Sequence, residues 1–249
     1  MTISNTHAAK AKSYDIGRPE YPQDFFNFVY DEIGIKPSEV IADIGCGTGK
    51  IAKHFLEYGN TVVGVEPDSD MLSIAKSKLS VYPKFFPIQK SAENTGIEEG
   101  SIDHIFCGNS YHWFERSKVV PEFRRILRDN CKILISTLGG GSNPYDAELR
   151  QINENFKKDV SMVISDTSPA FSKGTSIEKT FSYVVYETKD EFLHGALSAS
   201  FAPSVRDETY APFVREVEEL FERYKHNERL EVMMCLRCAA GSAENLLMP

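Results

Sequence analysis

Asp43-Ile44-Gly45-Cys46-Gly47-Thr48-Gly49 closes a short apolar run, Val40–Ile44, and opens a stretch where Ile51, Ala52, Phe55 and Leu56 recur at helical spacing. Glycines at alternate positions let the backbone turn sharply and keep side chains from between it and a ligand. The helix that follows offers free N–H groups and the positive end of its dipole. A strand, a glycine turn and a helix in that order predict a nucleotide-type site at the carboxyl edge of an open sheet. Spacing narrows the ligand. Counted from Gly45, the third glycine of a dinucleotide fingerprint would fall on Lys50; counted from Gly47, Gly49 is followed by Ala52, a degenerate fit. Gly49-Lys50 leads into Ile51, so the Ser/Thr of a phosphate-binding loop is missing. Asp43, two residues before the first glycine, would repel a pyrophosphate and suits an amino group. Glu66, after the next β-rich run, can accept both hydroxyls of a ribose; taken alone, it is also an ordinary strand end. The combination predicts an adenosyl group that lacks a diphosphate and carries an amino acid.

Working outward, β-rich runs at Val40–Ile44, Thr61–Val65, Lys84–Ile88, Ile102–Cys107 and Lys132–Thr137 alternate with amphipathic stretches. Met71, Leu72, Ala75 and Leu79 mark one helix. Val119, Val120, Phe123, Ile126 and Leu127 mark another over Arg116–Arg128, with Arg124, Arg125 and Arg128 on its solvated side. This rhythm predicts an α/β fold with a parallel sheet covered on both faces. After Gly139-Gly140-Gly141 the rhythm breaks, and residues 142–178 are mixed and polar. A sixth strand is expected at Thr180–Tyr186, a helix on Phe213, Val217, Leu220, Phe221 and Tyr224, and a last strand at Leu230–Ala239. Residues 142–200 form an insertion where substrate-specific structure is expected, since loops on a rigid scaffold usually carry specificity.

The chain has 249 residues, 41% hydrophobic and 26% charged, which suits a single folded α/β domain. A net charge of −8 argues against general nucleic-acid binding, which needs a basic face. No apolar run approaches the ~18 residues of a membrane span, and Met1–Ala11 lacks the apolar centre of a signal peptide. A cytoplasmic protein is expected. Cys46, Cys107, Cys131, Cys235 and Cys238 are odd in number and scattered, consistent with reduced thiols. Cys235 and Cys238 form a CxxC inside an apolar run, better read as a core strand than as a metal or redox site. No metal site is expected.

Several segments carry a family resemblance. Ile41–Gly49 resembles the first motif of class I S-adenosylmethionine-dependent methyltransferases, and Val65-Glu66-Pro67-Asp68 with Met71 resembles their second. Ser91-Ala92-Glu93 resembles the turn that sets an acid beside the adenine amino group, and Ile102–Phe114 the segment of the fourth strand and its exit. Tyr14–Pro22 resembles the opening of a small-molecule subgroup that includes trans-aconitate-methyltransferase-like proteins. The likeness covers residues 14–138 well, is softer over 180–240, and is absent over 142–178. One departure is the turn Arg128-Asp129-Asn130-Cys131, glycine-rich in the family, where Asn130 can supply the left-handed conformation.

The resemblance implies a doubly wound, mostly parallel seven-stranded Rossmann-like sheet with an antiparallel last strand. It implies S-adenosyl-L-methionine as cofactor, contacted by Tyr14, Arg18, Asp43, Gly45, Cys46, Gly47, Thr48, Gly49, Glu66, Pro67, Met71, Ala92, Glu93, Asn109 and Trp113. Residues 1–36 are expected as lid helices; Arg18 pairs either with the cofactor carboxylate or with an acidic substrate, or is a surface residue. His112 and Tyr111 are the catalytic candidates: His112 as a proton acceptor near neutral pH, or both only as pocket walls. The acceptor is expected to be a small molecule, a carboxylic acid or an aromatic metabolite. An NAD-dependent oxidoreductase, a non-catalytic adenosylmethionine-binding protein, and a protein or tRNA methyltransferase are the competing readings. His104 lies inside the fourth strand and reads as a packed or edge histidine, and His54, His194 and His226 show no supporting partners in the sequence.

Overall fold

A computed structural model describes residues 4–157 and 169–248. Its elements in chain order are α1 (Ser4–Gly17), α2 (Gln23–Asn27), β1 (Val40–Ile44), α3 (Lys50–Tyr58), β2 (Thr61–Val65), α4 (Ser69–Lys78), β3 (Phe85–Ile88), β4 (Ile102–Gly108), α5 (Arg116–Ile126), β5 (Leu127–Gly140), α6 (Asp146–Phe156), β6 (Ser176–Glu187), α7 (Lys189–Leu197), α8 (Tyr210–Tyr224) and β7 (Leu230–Gly241). The seven strands form one sheet in the order β3-β2-β1-β4-β5-β7-β6. The pairs β1–β2, β1–β4, β2–β3 and β4–β5 are parallel, and the final strands run antiparallel. The expected doubly wound Rossmann-like architecture is therefore the observed one. The order reverses between β1 and β4, and at such a switch point strand exits diverge and leave a crevice for a ligand.

The chain divides into two compact units. One holds the described residues 21–138, 169–181 and 236–248. Its core is the sheet face packed by α5: Ile105 and Cys107 of β4 and Ile133 of β5 meet Val119, Val120, Phe123 and Ile126, all fully buried. On the other face an aromatic cluster of Phe25, Phe28, Phe55, Phe106 and Phe181 packs edge-on or tilted, with centroids 5.7–5.9 Å apart. The apolar periodicity of α3 and α5 is what drives this burial.

The other unit holds the described residues 4–20, 139–157 and 182–235. Its core comes from Tyr145 against Phe192 and from Phe213, Val217, Leu220 and Phe221 of α8. There α1 and α7 cross where both lack side chains: a Cβ on Gly17 would lie 2.0 Å from the Gly195 nitrogen. Thr188 caps α7, accepting from the Glu191 N–H, while Glu191 accepts from the Thr188 N–H. This capping box, Thr-x-x-Glu, supplies the start signal for a helix that the sequence reading left out.

Several boundaries move. The helix expected over Arg116–Arg128 ends at Ile126, and β5 begins at Leu127 rather than Lys132. The turn expected at Arg128–Cys131 is an irregular stretch of strand: β4 advances from Ile102 to His104 while β5 advances from Leu127 to Lys132. Arg128 there pairs with Asp103 at 2.6 Å, and Arg125 with Glu122 at 2.8 Å, so those arginines serve the local structure. Of residues 142–178, 158–168 lie outside the described residues; α6, unforeseen, occupies Asp146–Phe156. Cys235 and Cys238 lie in β7, and residues three apart on a strand point to opposite faces. Among the described residues no helix is long and apolar enough to cross a membrane.

The glycine crossing yields a test. Gly17→Ala forces backbone against backbone, whereas a Cβ on Gly195 would meet the Gly17 oxygen at 3.1 Å. Urea unfolding should show Gly17→Ala losing about 1–3 kcal/mol and Gly195→Ala distinctly less; equal losses would contradict the crossing as described.

Candidate active site

β1 ends in Asp43 and Ile44, and the chain turns through Gly45, Gly47 and Gly49, whose φ values are +74°, +54° and +80°. That conformation costs an L-residue free energy and a glycine none. Space is limiting as well: a Cβ on Gly45 would lie 2.5 Å from the Ser110 Cβ. The N–H groups of Gly45 and Cys46 donate to the Val65 carbonyl at 2.8 and 3.1 Å, which ties the loop to the end of β2. Thr48 is buried, and its hydroxyl has no hydrogen-bond partner.

Two carboxylates flank this loop. Glu66 accepts the Gly47 N–H at 3.0 Å on one oxygen and the Asp68 N–H at 2.9 Å on the other. Each carboxylate oxygen has two lone pairs, so both keep capacity for a ligand hydroxyl. Burial raises the Glu66 pKa, opposed by those two N–H groups. Asp43 is fully buried, and neither of its oxygens has a partner in hydrogen-bond geometry, although the Ala52 N–H nearby partly opposes the rise in its pKa. Burial first, then the Glu66 charge, push its pKa well above the usual carboxylate range. Cys46 is also buried, and its thiol is pushed up by burial and by both acids, so it stays protonated. A buried acid lacking a donor is costly. A cationic ligand would offset that cost.

The remaining expected contacts spread around the same edge. Pro67 is exposed, and Met71 is half-buried in the first turn of α4, where its N–H donates to the capping Asp68 at 2.9 Å. Ala92 is buried in the turn after β3, and Glu93 beside it accepts the Glu115 N–H at 3.1 Å. Asn109 takes a left-handed conformation (φ +53°) and its side-chain oxygen accepts the Leu138 N–H at 2.7 Å. Trp113 is 51% exposed. Tyr111 is buried beneath the Arg116 guanidinium, whose carbon sits 5.2 Å from the ring centroid. His112 is half-buried in a 3₁₀ turn, and burial lowers its pKa.

Ser110, within the Ile102–Phe114 segment, has a role of its own that the sequence does not announce. Its buried hydroxyl donates to the Ile44 carbonyl at 2.6 Å, joining the exit of β4 to the root of the glycine loop. Only the parallel pairing of β1 with β4 brings the two together, so no local signal marked it.

Tyr14 and Arg18 belong to the other unit, where the Arg18 guanidinium lies 5.1 Å from the Tyr14 ring centroid and its buried Nε has no hydrogen-bond partner. His194, for which the sequence offered no partner, meets the Ser13 hydroxyl at 3.0 Å and Asp190 at 3.5 Å. His104 is a packed strand histidine between Glu39 and the Lys132 N–H.

A cleft of about 530 Å³ opens beside Tyr111 and His112. Its floor is the sheet face carrying Thr137, Thr180 and Arg237, and its wall includes Arg116.

Comparison with known proteins accords with this geometry. Residues 42–135 match the family model described as "Methyltransferase domain". An uncharacterized methyltransferase-like protein of Schizosaccharomyces pombe is 23% identical over 247 residues, 96% of this chain and 95% of that one. Malonyl-[acyl-carrier protein] O-methyltransferase of Hamiltonella defensa is 30% identical over 141 residues, 56% of this chain and 53% of that one. The chain spans about half the length of several other curated relatives it matches. A candidate type II methyltransferase from Anaeromyxobacter dehalogenans has the same fold, with a TM-score of 0.67, 20% identity and coverage of 91% of this chain and 98% of that one. Residues 42–135 thus form a methyltransferase domain, and S-adenosylmethionine is its cofactor.

Asp43 makes a two-sided prediction. The unfolded chain releases this proton near the ordinary carboxylate value of ~3.9, whereas the folded protein holds it to higher pH. The ligand-free protein therefore loses stability as pH rises through the folded value. Asp43→Asn removes that loss, so in melting scans the variant should gain on the wild type as pH climbs from 4 to 8. Calorimetry should show the same variant binding S-adenosylhomocysteine at least tenfold more weakly, about 1.4 kcal/mol. A variant less stable at pH 8 and unimpaired in binding would contradict both halves.

Proposed function

We propose that the glycine loop and its two acids hold S-adenosylmethionine and that the methyl group goes to a small molecule in the cleft beside Tyr111 and His112. The observation that carries this reading is Asp43: a buried carboxylate without a hydrogen-bond partner, at the root of a loop with glycine at alternate positions, is suited to an amino group. Glu66 takes the ribose hydroxyls on lone pairs that its two backbone bonds leave over. Glu93, in the turn after β3, serves the adenine amino group. Gly45, Gly47 and Gly49 admit the ligand close to the backbone, with Cys46, Thr48, Pro67, Met71, Ala92, Asn109 and Trp113 around it. Tyr14 and Arg18, and the cover and selectivity roles of residues 1–36 and 142–200, belong to the same proposal. So does a cytoplasmic location, in keeping with five free cysteines.

Bound in this way, S-adenosylmethionine supplies an electrophilic methyl on a sulfonium. The chain's own part is alignment, which in favourable intramolecular models contributes up to ~7–11 kcal/mol. Ser110 holds the β4 exit against the glycine loop, so Tyr111 and His112 keep a fixed place beside it. His112 takes a proton from an oxygen or nitrogen nucleophile; its lowered pKa keeps the ring neutral, and able to accept, at pH 7. The small-molecule class is supported by the cleft's volume, which falls within the ~300–1,000 Å³ range of such sites, and by the acidic net charge, which disfavours tRNA.

The test is incubation with methyl-labelled S-adenosylmethionine and a cell extract, followed by fractionation. Label should appear in the metabolite fraction; label confined to protein or RNA would overturn the acceptor class. With the product in hand, kcat/KM should fall as pH drops below the depressed His112 value, and His112→Asn should flatten that limb. An unchanged profile would leave His112 as a pocket wall.

A further inference from the structure

The cleft beside His112 contains an unneutralised cation. Strand alternation sets Ile135 and Thr137 of β5 on one face, and likewise Arg237 with Ala239 on β7 and Glu178 with Thr180 on β6. Thr137, Thr180 and Arg237 are all exposed there. Arg237 has no ion pair or hydrogen bond among the described residues. The other charges on the cleft are spoken for: the Lys179 ammonium contacts the Glu32 carboxylate, and the buried Arg116 donates to the Pro169 carbonyl at 2.8 Å. Glu178, the one acid among the described lining residues, accepts from the Ser176 hydroxyl at 3.2 Å. A free guanidinium is a planar fork of donors that matches a carboxylate or phosphate on two atoms at once. Two exposed threonine hydroxyls share its cleft and can complete such a contact. Small residues (Ala170, Ala239) leave room above the sheet.

We propose that Arg237 anchors an anionic group of the methyl acceptor, a carboxylate or a phosphate separate from the atom that is methylated. Such an anchor would fix one end of the acceptor on β7 while its nucleophile lies toward His112. The proposal deepens the acceptor assignment above and rests on it. Arg237 is then a specificity-determining residue and takes no part in the proton transfer. Neutral analogues of the acceptor lack the anchor and enter weakly.

Calorimetric titration separates this proposal from the cofactor reading. S-adenosylhomocysteine is titrated first into the wild-type protein; failure there counts against the cofactor site alone. Glutarate, inorganic phosphate and the neutral control 1,5-pentanediol are then titrated with and without S-adenosylhomocysteine. At least one anion should bind at millimolar concentration or below, and the diol should not. Arg237→Ala should weaken that anion at least tenfold, with Arg237→Lys in between and S-adenosylhomocysteine affinity within twofold in all three proteins. Because Arg237 is exposed, both variants should keep the wild-type melting temperature, which confirms folding. No anion binding in the wild type, binding of the diol equal to that of the anions, or anion affinity unchanged in Arg237→Ala would each overturn the proposal.

Discussion

A carboxylate taken out of water without a donor to meet it raises the free energy of the folded state. In this chain the site depends on one such group. Asp43 is fully buried, has no hydrogen-bond partner, and shares its sheet edge with Glu66, whose charge makes ionisation harder still. A sequence under selection for stability alone would replace Asp43 by asparagine or an apolar residue. Keeping it makes sense if a cation arrives there, and the loop beside it holds little but glycine for that cation to pass. Stability and ligand binding thus pull in opposite directions at one residue, a common condition of functional sites.

The surrounding structure makes that edge rigid. The Val65 carbonyl receives two N–H groups of the glycine loop, the Gly47 N–H is held by Glu66, and the Ser110 hydroxyl closes the third side on Ile44. Each bond links the end of one parallel strand to the end of its neighbour. The sheet order places β2, β1 and β4 side by side, so their exits converge at the switch point. Below this edge, the paired burial of α5 against β4 and β5 fixes where the β4 exit can go. Tyr111 and His112 inherit their position from that packing and from Asn109, whose left-handed backbone and bond to the Leu138 N–H turn the chain away from the strand.

The sequence was legible where local chemistry and local structure coincide. Gly45, Gly47 and Gly49 stand in conformations that only glycine adopts freely, and Asp43 and Glu66 are strand ends whose neighbours mark them as such. The strands β1 and β2 match their expected limits residue for residue. It was less legible where distant pairing decides. Ser110 looks like any polar loop residue until β4 is laid beside β1, and Arg237 looks like an exposed strand residue until β5, β6 and β7 form one face. The β5 start at Leu127 was read as the end of a helix because its apolar spacing continues that of α5; pairing with Ile102 overrides it. Helix α7 was announced by its Thr188–Glu191 capping box, but its weak apolar stripe hid it. Residues 142–157 carried little periodic signal, and α6 came out of them all the same.

The central claim is that Asp43 recognises the amino acid end of an adenosyl ligand. Its most direct test is a ligand-by-residue cycle: the affinities of S-adenosylhomocysteine and of 5′-methylthioadenosine, which lacks the amino acid, measured in the wild type and in Asp43→Asn. The account predicts a wide gap between the two ligands in the wild type that closes largely in the variant, with methylthioadenosine itself little affected. A gap of the same size in both proteins would contradict it.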